Sequence, residues 1–209
     1  NKVLFAPYDA QQAQIVTYNR GNRFDKQMMP IVNMYNQYFG GGMNAIVFQE
    51  MREKRSLAYT AQATYVSPRK QEDFFYNFSF IGTQNDKMID ALEAFDDLFN
   101  NMPQSQNAFD LAKEGVKSSI ITNRITKVNV LYTYLRNQEL GYNYDYRKDI
   151  FEKTDAFTLQ DVMNFNIQYI KNRPKTYLIL ARESAVDFDK IEATFGPVTK
   201  LKLEDIFGF

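Results

Sequence analysis

Arg52 and Tyr59 are the side chains in this sequence best suited to act on a bound molecule. They sit seven residues apart in the segment from Tyr38 to Tyr65, YFGGGMNAIVFQEMREKRSLAYTAQATY, which also holds Gly40, Gly41 and Gly42. A guanidinium is a rigid fork of donors, and a phenol offers one O–H. Consecutive glycines either end a helix or let another backbone come close. Together these groups suit the handling of peptide carbonyls. Each also has a plainer reading. Arg52 within EMREKR reads as a solvated helix end, Tyr59 as a sheet-face residue packing with Ala61 and Tyr65, and the glycines as simple helix termination.

The rest of the sequence removes most other chemistry. It has no histidine and no cysteine, so the imidazole and thiolate ligands that zinc prefers are missing, and no metal site is expected in this chain. Ser-His-Asp and Cys-His mechanisms lose the base that would take the nucleophile's proton. Asp96 and Asp97 could be mistaken for a glycosidase pair, but neighbours on a helix point about 100° apart and cannot flank one bond. They read as a solvated helix face. The glycines could cradle a phosphate ahead of a helix, but no Lys-Ser/Thr follows them.

With 209 residues the chain is long enough for one well-packed domain, 1–209. Its 25 basic and 25 acidic residues cancel, which disfavours nucleic acid as a ligand. Apolar runs such as Tyr177 to Ala181 fall far short of the roughly 20 residues that span a bilayer. The first residue is Asn1 and no signal segment follows, so a processed or excised piece of a longer protein is expected.

The elements that must position Arg52 and Tyr59 follow from periodicity. Gln11 to Tyr18 alternates as a first strand. Met28 to Phe39 carries a helical stripe with Pro30 in its first turn, and Gly40 to Gly42 end it. Met43 to Lys54 reads as a second helix with Ile46, Val47 and Met51 on one face. Ala58 to Val66 and Phe74 to Gly82 read as strands joined through Ser67-Pro68-Arg69-Lys70, with Phe74, Tyr76, Phe78 and Phe80 as core. Helices are expected over Asn85 to Phe99, after a cap at Ser105 or Asn107, over Val128 to Leu140, and after a capping box at Thr158 to Asp161. Thr176 to Ala181 is a buried strand. The order describes an α+β fold, a mainly antiparallel sheet with helices packed on one face.

The run GGGMNAIVFQEMREKRSLAYTAQA resembles the pitrilysin, insulin-degrading enzyme and mitochondrial processing peptidase family, in which two homologous α+β halves surround a zinc site. In the family's non-catalytic half an arginine ends this helix and a tyrosine follows seven residues later, after a Leu-Gly or Leu-Ala step. Arg52 and Tyr59 fit, with Leu57-Ala58 before the tyrosine. The order of elements and the ending from Gly196 to Phe207 extend the likeness over essentially the whole chain. The catalytic half carries His-x-x-Glu-His on the first helix after the opening strand, where this sequence reads MMPIVNMYNQYF.

The resemblance therefore implies a non-catalytic half, built like the metallohydrolase domains of mitochondrial processing peptidase and inactive alone. Arg52, Tyr59, Gly40, Gly41 and Gly42 would contact peptide substrate, and zinc would be bound by a complementary catalytic domain on the same or another polypeptide. The family's glycine-rich loop is longer than Gly40 to Gly42. A C-terminal position in a four-domain chain is expected, with Phe209 as a natural terminus, and the periplasm or cell envelope of a bacterium is the favoured compartment. Two other readings stay open: a catalytically dead structural subunit of the same family, and a free-standing peptide-binding module using an exposed sheet edge.

Overall fold

The computed structural model describes residues 1–208, so the expected terminus at Phe209 lies outside the described residues. Its strands are β1 (Lys2–Pro7), β2 (Gln12–Arg23), β3 (Thr60–Val66), β4 (Phe74–Gln84), β5 (Thr176–Ala181) and β6 (Val198–Lys200). They form one sheet in the order β3-β4-β2-β5-β1-β6. The joins β3 to β4, β4 to β2 and β2 to β5 are antiparallel, while β5 to β1 and β1 to β6 are parallel. This corrects the expected mainly antiparallel sheet to a mixed one. The parallel part comes from β1 and β6, which sequence pattern does not mark. A buried parallel strand such as KVLFAP need not alternate, and three residues carry no period. The strand beginning near Gln11 is thus the second, and it runs on to Arg23.

The helices are α1 (Met29–Phe39), α2 (Ile46–Phe48) continuing as a π-helical turn (Gln49–Lys54), α3 (Met88–Asn100), α4 (Gln106–Thr122), α5 (Val128–Glu139), α6 (Arg147–Thr154), α7 (Leu159–Tyr169), α8 (Phe188–Phe195) and α9 (Leu203–Phe207). Caps act where the sequence places them. The Ser105 hydroxyl accepts the Ala108 N–H at 3.2 Å. At α7 the Thr158 N–H donates to the Asp161 carboxylate at 2.8 Å, and the Asp161 N–H donates to the Thr158 hydroxyl at 3.3 Å. The Thr158 hydroxyl also donates to that carboxylate at 2.7 Å, and this bond, with the one from the Thr158 N–H, holds the Asp161 carboxyl below the usual carboxylate range.

The helical stripe of α1 buries Val32, Tyr35 and Phe39 against α3 and α7. The buried Asn166 amide links the three helices: it accepts the Tyr35 O–H at 3.2 Å and donates to the Phe99 carbonyl at 2.8 Å. Asp96 on α3 is not the solvated residue expected of it. It accepts the Lys175 ammonium at 2.6 Å and the Tyr177 O–H at 2.9 Å, and the Lys175 side chain is 3% exposed.

The two sheet faces differ. Val3, Phe5, Ala13, Ile15, Tyr65, Phe75, Ile81, Tyr177 and Ile179 are buried beneath the helices. On β4 this covered set is Phe75, Asn77, Ser79 and Ile81, whereas Phe74, Tyr76, Phe78 and Phe80, expected as core, lie half-buried on the opposite face. Val16 stands between Phe80 and Leu178 across that open face, and Tyr18 between Phe78 and Thr176. Next to it runs α5, which leaves Val128, Val130, Leu131, Tyr132, Tyr134 and Leu135 exposed. Its Tyr132 and Leu135 share a cavity of about 1200 Å³ with Tyr18, Val66, Phe74 and Tyr76.

Candidate functional site

The site begins at the π-helical turn. Past its end the Leu57 N–H donates back six residues to the Met51 carbonyl at 2.9 Å, a bond that closes the helix C-terminus. Met51 is fully buried, which turns its neighbour Arg52 outward, with its side chain 54% exposed. Arg52 lies 5.1 Å from the Phe48 ring centroid and 3.8 Å from one Glu53 oxygen. Ser56 then takes a left-handed φ of 50°, uncommon for a residue with a Cβ, and reverses the chain. Two bonds dock the following residues on the end of β4: the Thr83 hydroxyl donates to the Leu57 carbonyl, and the Tyr59 N–H donates to the Gly82 carbonyl at 2.9 Å.

The result is that Arg52 and Tyr59 share the lining of one cavity of about 320 Å³, together with Ser56, Thr83, Gln84 and Lys87. Tyr59 is 54% exposed and precedes β3. It does not pack as a sheet-face neighbour of Ala61 and Tyr65. The Gln84 amide donates to its hydroxyl oxygen at 3.0 Å, and the Lys87 ammonium reaches the Ser56 carbonyl at 3.5 Å. No carboxylate lines the cavity among the described residues. Its two charged groups, Arg52 and Lys87, are donors suited to a carbonyl or carboxylate oxygen, with an apolar wall at Leu57 and Ala58.

Gln84 and Lys87 escape sequence reasoning because they reach Tyr59 and Ser56 from β4 and the turn after it, 25 and 31 residues along the chain. No local pattern encodes that approach.

The glycines stand elsewhere. Gly40 caps α1, its N–H donating to the Asn36 carbonyl at 3.0 Å, and a Cβ there would overlap the Ala63 carbonyl of β3. Gly41 packs on Asn36 and Gln37, and Gly42 takes a φ of 107° that favours glycine. Gly40 and Gly41 line a separate cavity with Asn36, Gln62 and Ala63. The structure therefore brings Arg52 and Tyr59 together and leaves the glycines outside their cavity.

Zinc does not fit this donor set. The chain offers no imidazole or thiolate, and the described residues contain no cluster of three or more metal-ligating acidic side chains. Among the described residues no helix is long and apolar enough to cross a membrane.

Residues 2–116 match the family model of the peptidase M16 inactive domain. The fold is similar to the peptidase M16 inactive domain from Pseudomonas fluorescens, with a TM-score of 0.68 at 15% identity over 86% of this chain and 43% of that one. A conserved protein from Enterococcus faecalis gives 0.70 at 13% identity, over 89% of this chain and 43% of that one. The periplasmic protease PqqL from Escherichia coli gives 0.64 at 14% identity, over 88% of this chain and 21% of that one. This chain thus spans less than half the length of each of these structures. No curated protein matches the sequence.

Proposed function

The chain belongs to the peptidase M16 family, as its inactive domain, and on that premise we propose that it is the non-catalytic half of a two-half zinc metallopeptidase, closing a chamber over peptide substrate. Zinc and the general base belong to the companion half, on the same polypeptide or another. The observation that carries this reading is the convergence of Arg52 and Tyr59 on one cavity, whose charged lining groups, Arg52 and Lys87, are both donors. Charge builds on the carbonyl oxygen of a peptide under attack. A guanidinium and a phenol held in place stabilise that oxygen best where water is excluded.

The companion also accounts for the uncovered apolar surface. The exposed apolar side chains of α5 lie next to the half-buried aromatics of the open sheet face, and a packed companion domain would cover both. The periplasm or cell envelope is the compartment we propose. The similar PqqL protease is periplasmic.

A free-standing module binding peptide along the β3 edge is less well supported. The Asn36 amide already pairs with both the N–H and the carbonyl of Tyr65 on that edge, at 2.7 and 3.0 Å, and Gly40 packs on Ala63. Activity measurements separate the remaining readings. The chain alone should cleave no peptide with any added metal, and mixing with the histidine-bearing half should restore cleavage. Cleavage by the chain alone would refute the assignment, and a histidine-bearing half that gains nothing would favour a structural subunit.

A further inference from the structure

We propose that the cavity after the π-helical turn is a carboxylate-binding subsite, in which Arg52 and Lys87 hold an acidic group of the peptide while Gln84 aims the Tyr59 hydroxyl at the peptide carbonyl beside it. This rests on the reading of the cavity as a peptide contact and names the chemistry the contact selects. Two cations line a space that no carboxylate lines among the described residues. Lys87 has the Ser56 carbonyl at 3.5 Å as its hydrogen-bond partner, and Arg52 has one Glu53 oxygen at 3.8 Å as its ion pair, so both keep donors for a guest.

Apart from Glu53 beside Arg52, no acidic side chain among the described residues pairs with either cation. Arg182 and Asp86 line an adjoining cavity, and Arg182 is bonded to Asp9 at 2.9 Å. A carboxylate between the guanidinium and the ammonium would offset their mutual repulsion and accept from both.

Gln84 sets the direction of the third donor. A phenol has one hydrogen. Once its oxygen accepts from the Gln84 amide at 3.0 Å, that hydrogen is free to be donated away from Gln84, and Tyr59 lines the cavity. Gln84 is held by its neighbour Asn85, whose amide donates to the Ala10 and Gln11 carbonyls at 2.9 and 3.0 Å and accepts the Arg182 N–H at 3.2 Å. Gln84 is a positioning residue, and Lys87 determines specificity. The carboxylate could belong to a Glu or Asp side chain or to a peptide C-terminus.

Binding of three matched fluorescent peptides to this chain, followed by anisotropy at low salt, tests the subsite. One peptide carries an internal Glu and an amidated C-terminus, one the corresponding Gln and an amidated C-terminus, and one that Gln with a free C-terminal carboxylate. At least one acid-bearing peptide should bind about tenfold more tightly than the neutral one, and which one identifies the source of the carboxylate. Lys87→Gln should remove the preference and leave the neutral affinity in place, while Tyr59→Phe should weaken all three. Equal binding of the three peptides, or a preference that survives Lys87→Gln, would overturn the subsite and leave the peptide contact standing. Absence of any binding, or binding untouched by both Arg52→Ala and Tyr59→Phe, would overturn the peptide contact and the subsite with it.

Discussion

Both faces of the sheet carry apolar side chains but meet different surroundings. The covered face has α1, α3, α7 and α8 on it and fits tightly: Tyr65 stacks on Phe75 with centroids 5.4 Å apart, and Tyr177 meets Phe195 of α8 edge-on at 5.2 Å. It also tolerates polar groups. Thr17 and Ser79 share a hydrogen bond across the strands, and directly beside them Asn19 and Asn77 face each other with no side-chain partner among the described residues. The open face offers Val16, Phe78, Phe80 and Leu178 half-exposed. The lesson is that residue type alone does not say which face is core. On β4 the alternation is real, but the face with the larger aromatics is the uncovered one, and the helices chose the other.

The comparison breaks most readily on β4. Phe75→Ala, on the covered face, should cost about 3–5 kcal/mol in urea unfolding, whereas Phe80→Ala should cost roughly 1 kcal/mol, since its side chain is only partly removed from water. Equal losses would mean that both faces are core.

Alkaline pH probes the covered tyrosines next. Burial pushes Tyr65 up to about 12, and Tyr35 and Tyr177 are also raised by burial, Tyr177 additionally by Asp96. A raised folded-state value means stability that is complete below about pH 10, where the unfolded phenols begin to ionise, and that drains away as pH climbs through the folded values. Tyrosinate absorbance from these side chains should therefore rise together with loss of near-UV circular dichroism between about pH 10 and 12. Ionisation of all tyrosines at about pH 10 without unfolding would show the covered face to be wet.

The smallest effect belongs to α5. Leu131→Lys should change the stability of the chain by less than about 0.5 kcal/mol, because the side chain is already 56% exposed. A loss above about 2 kcal/mol would place α5 in the core.

Local features were legible in the sequence where their physics is local. The stripe of α1, the Ser105 cap, the Thr158 and Asp161 box and the alternation of β2 need only residues a few positions apart. What escaped depends on distant partners. β1 is a strand because β5, far along the chain, lies beside it, and β6 because β1 does. Asp96 is tied to Lys175, 79 positions away, so its helix position looked solvated. In the candidate site Arg52 and Tyr59 stood out through family resemblance, which also drew attention to the glycines. Their packing on β3 and on α1 could not be foreseen from a run of three glycines.

The central claim is that Arg52 and Tyr59 serve a reaction carried out by another half. It is tested most directly by combining Arg52→Ala/Tyr59→Phe with the histidine-bearing half and measuring kcat/KM on an unfolded peptide. The expected loss is about a hundredfold, with assembly of the two halves unchanged by gel filtration. Turnover equal to that of the unsubstituted pair would contradict the account.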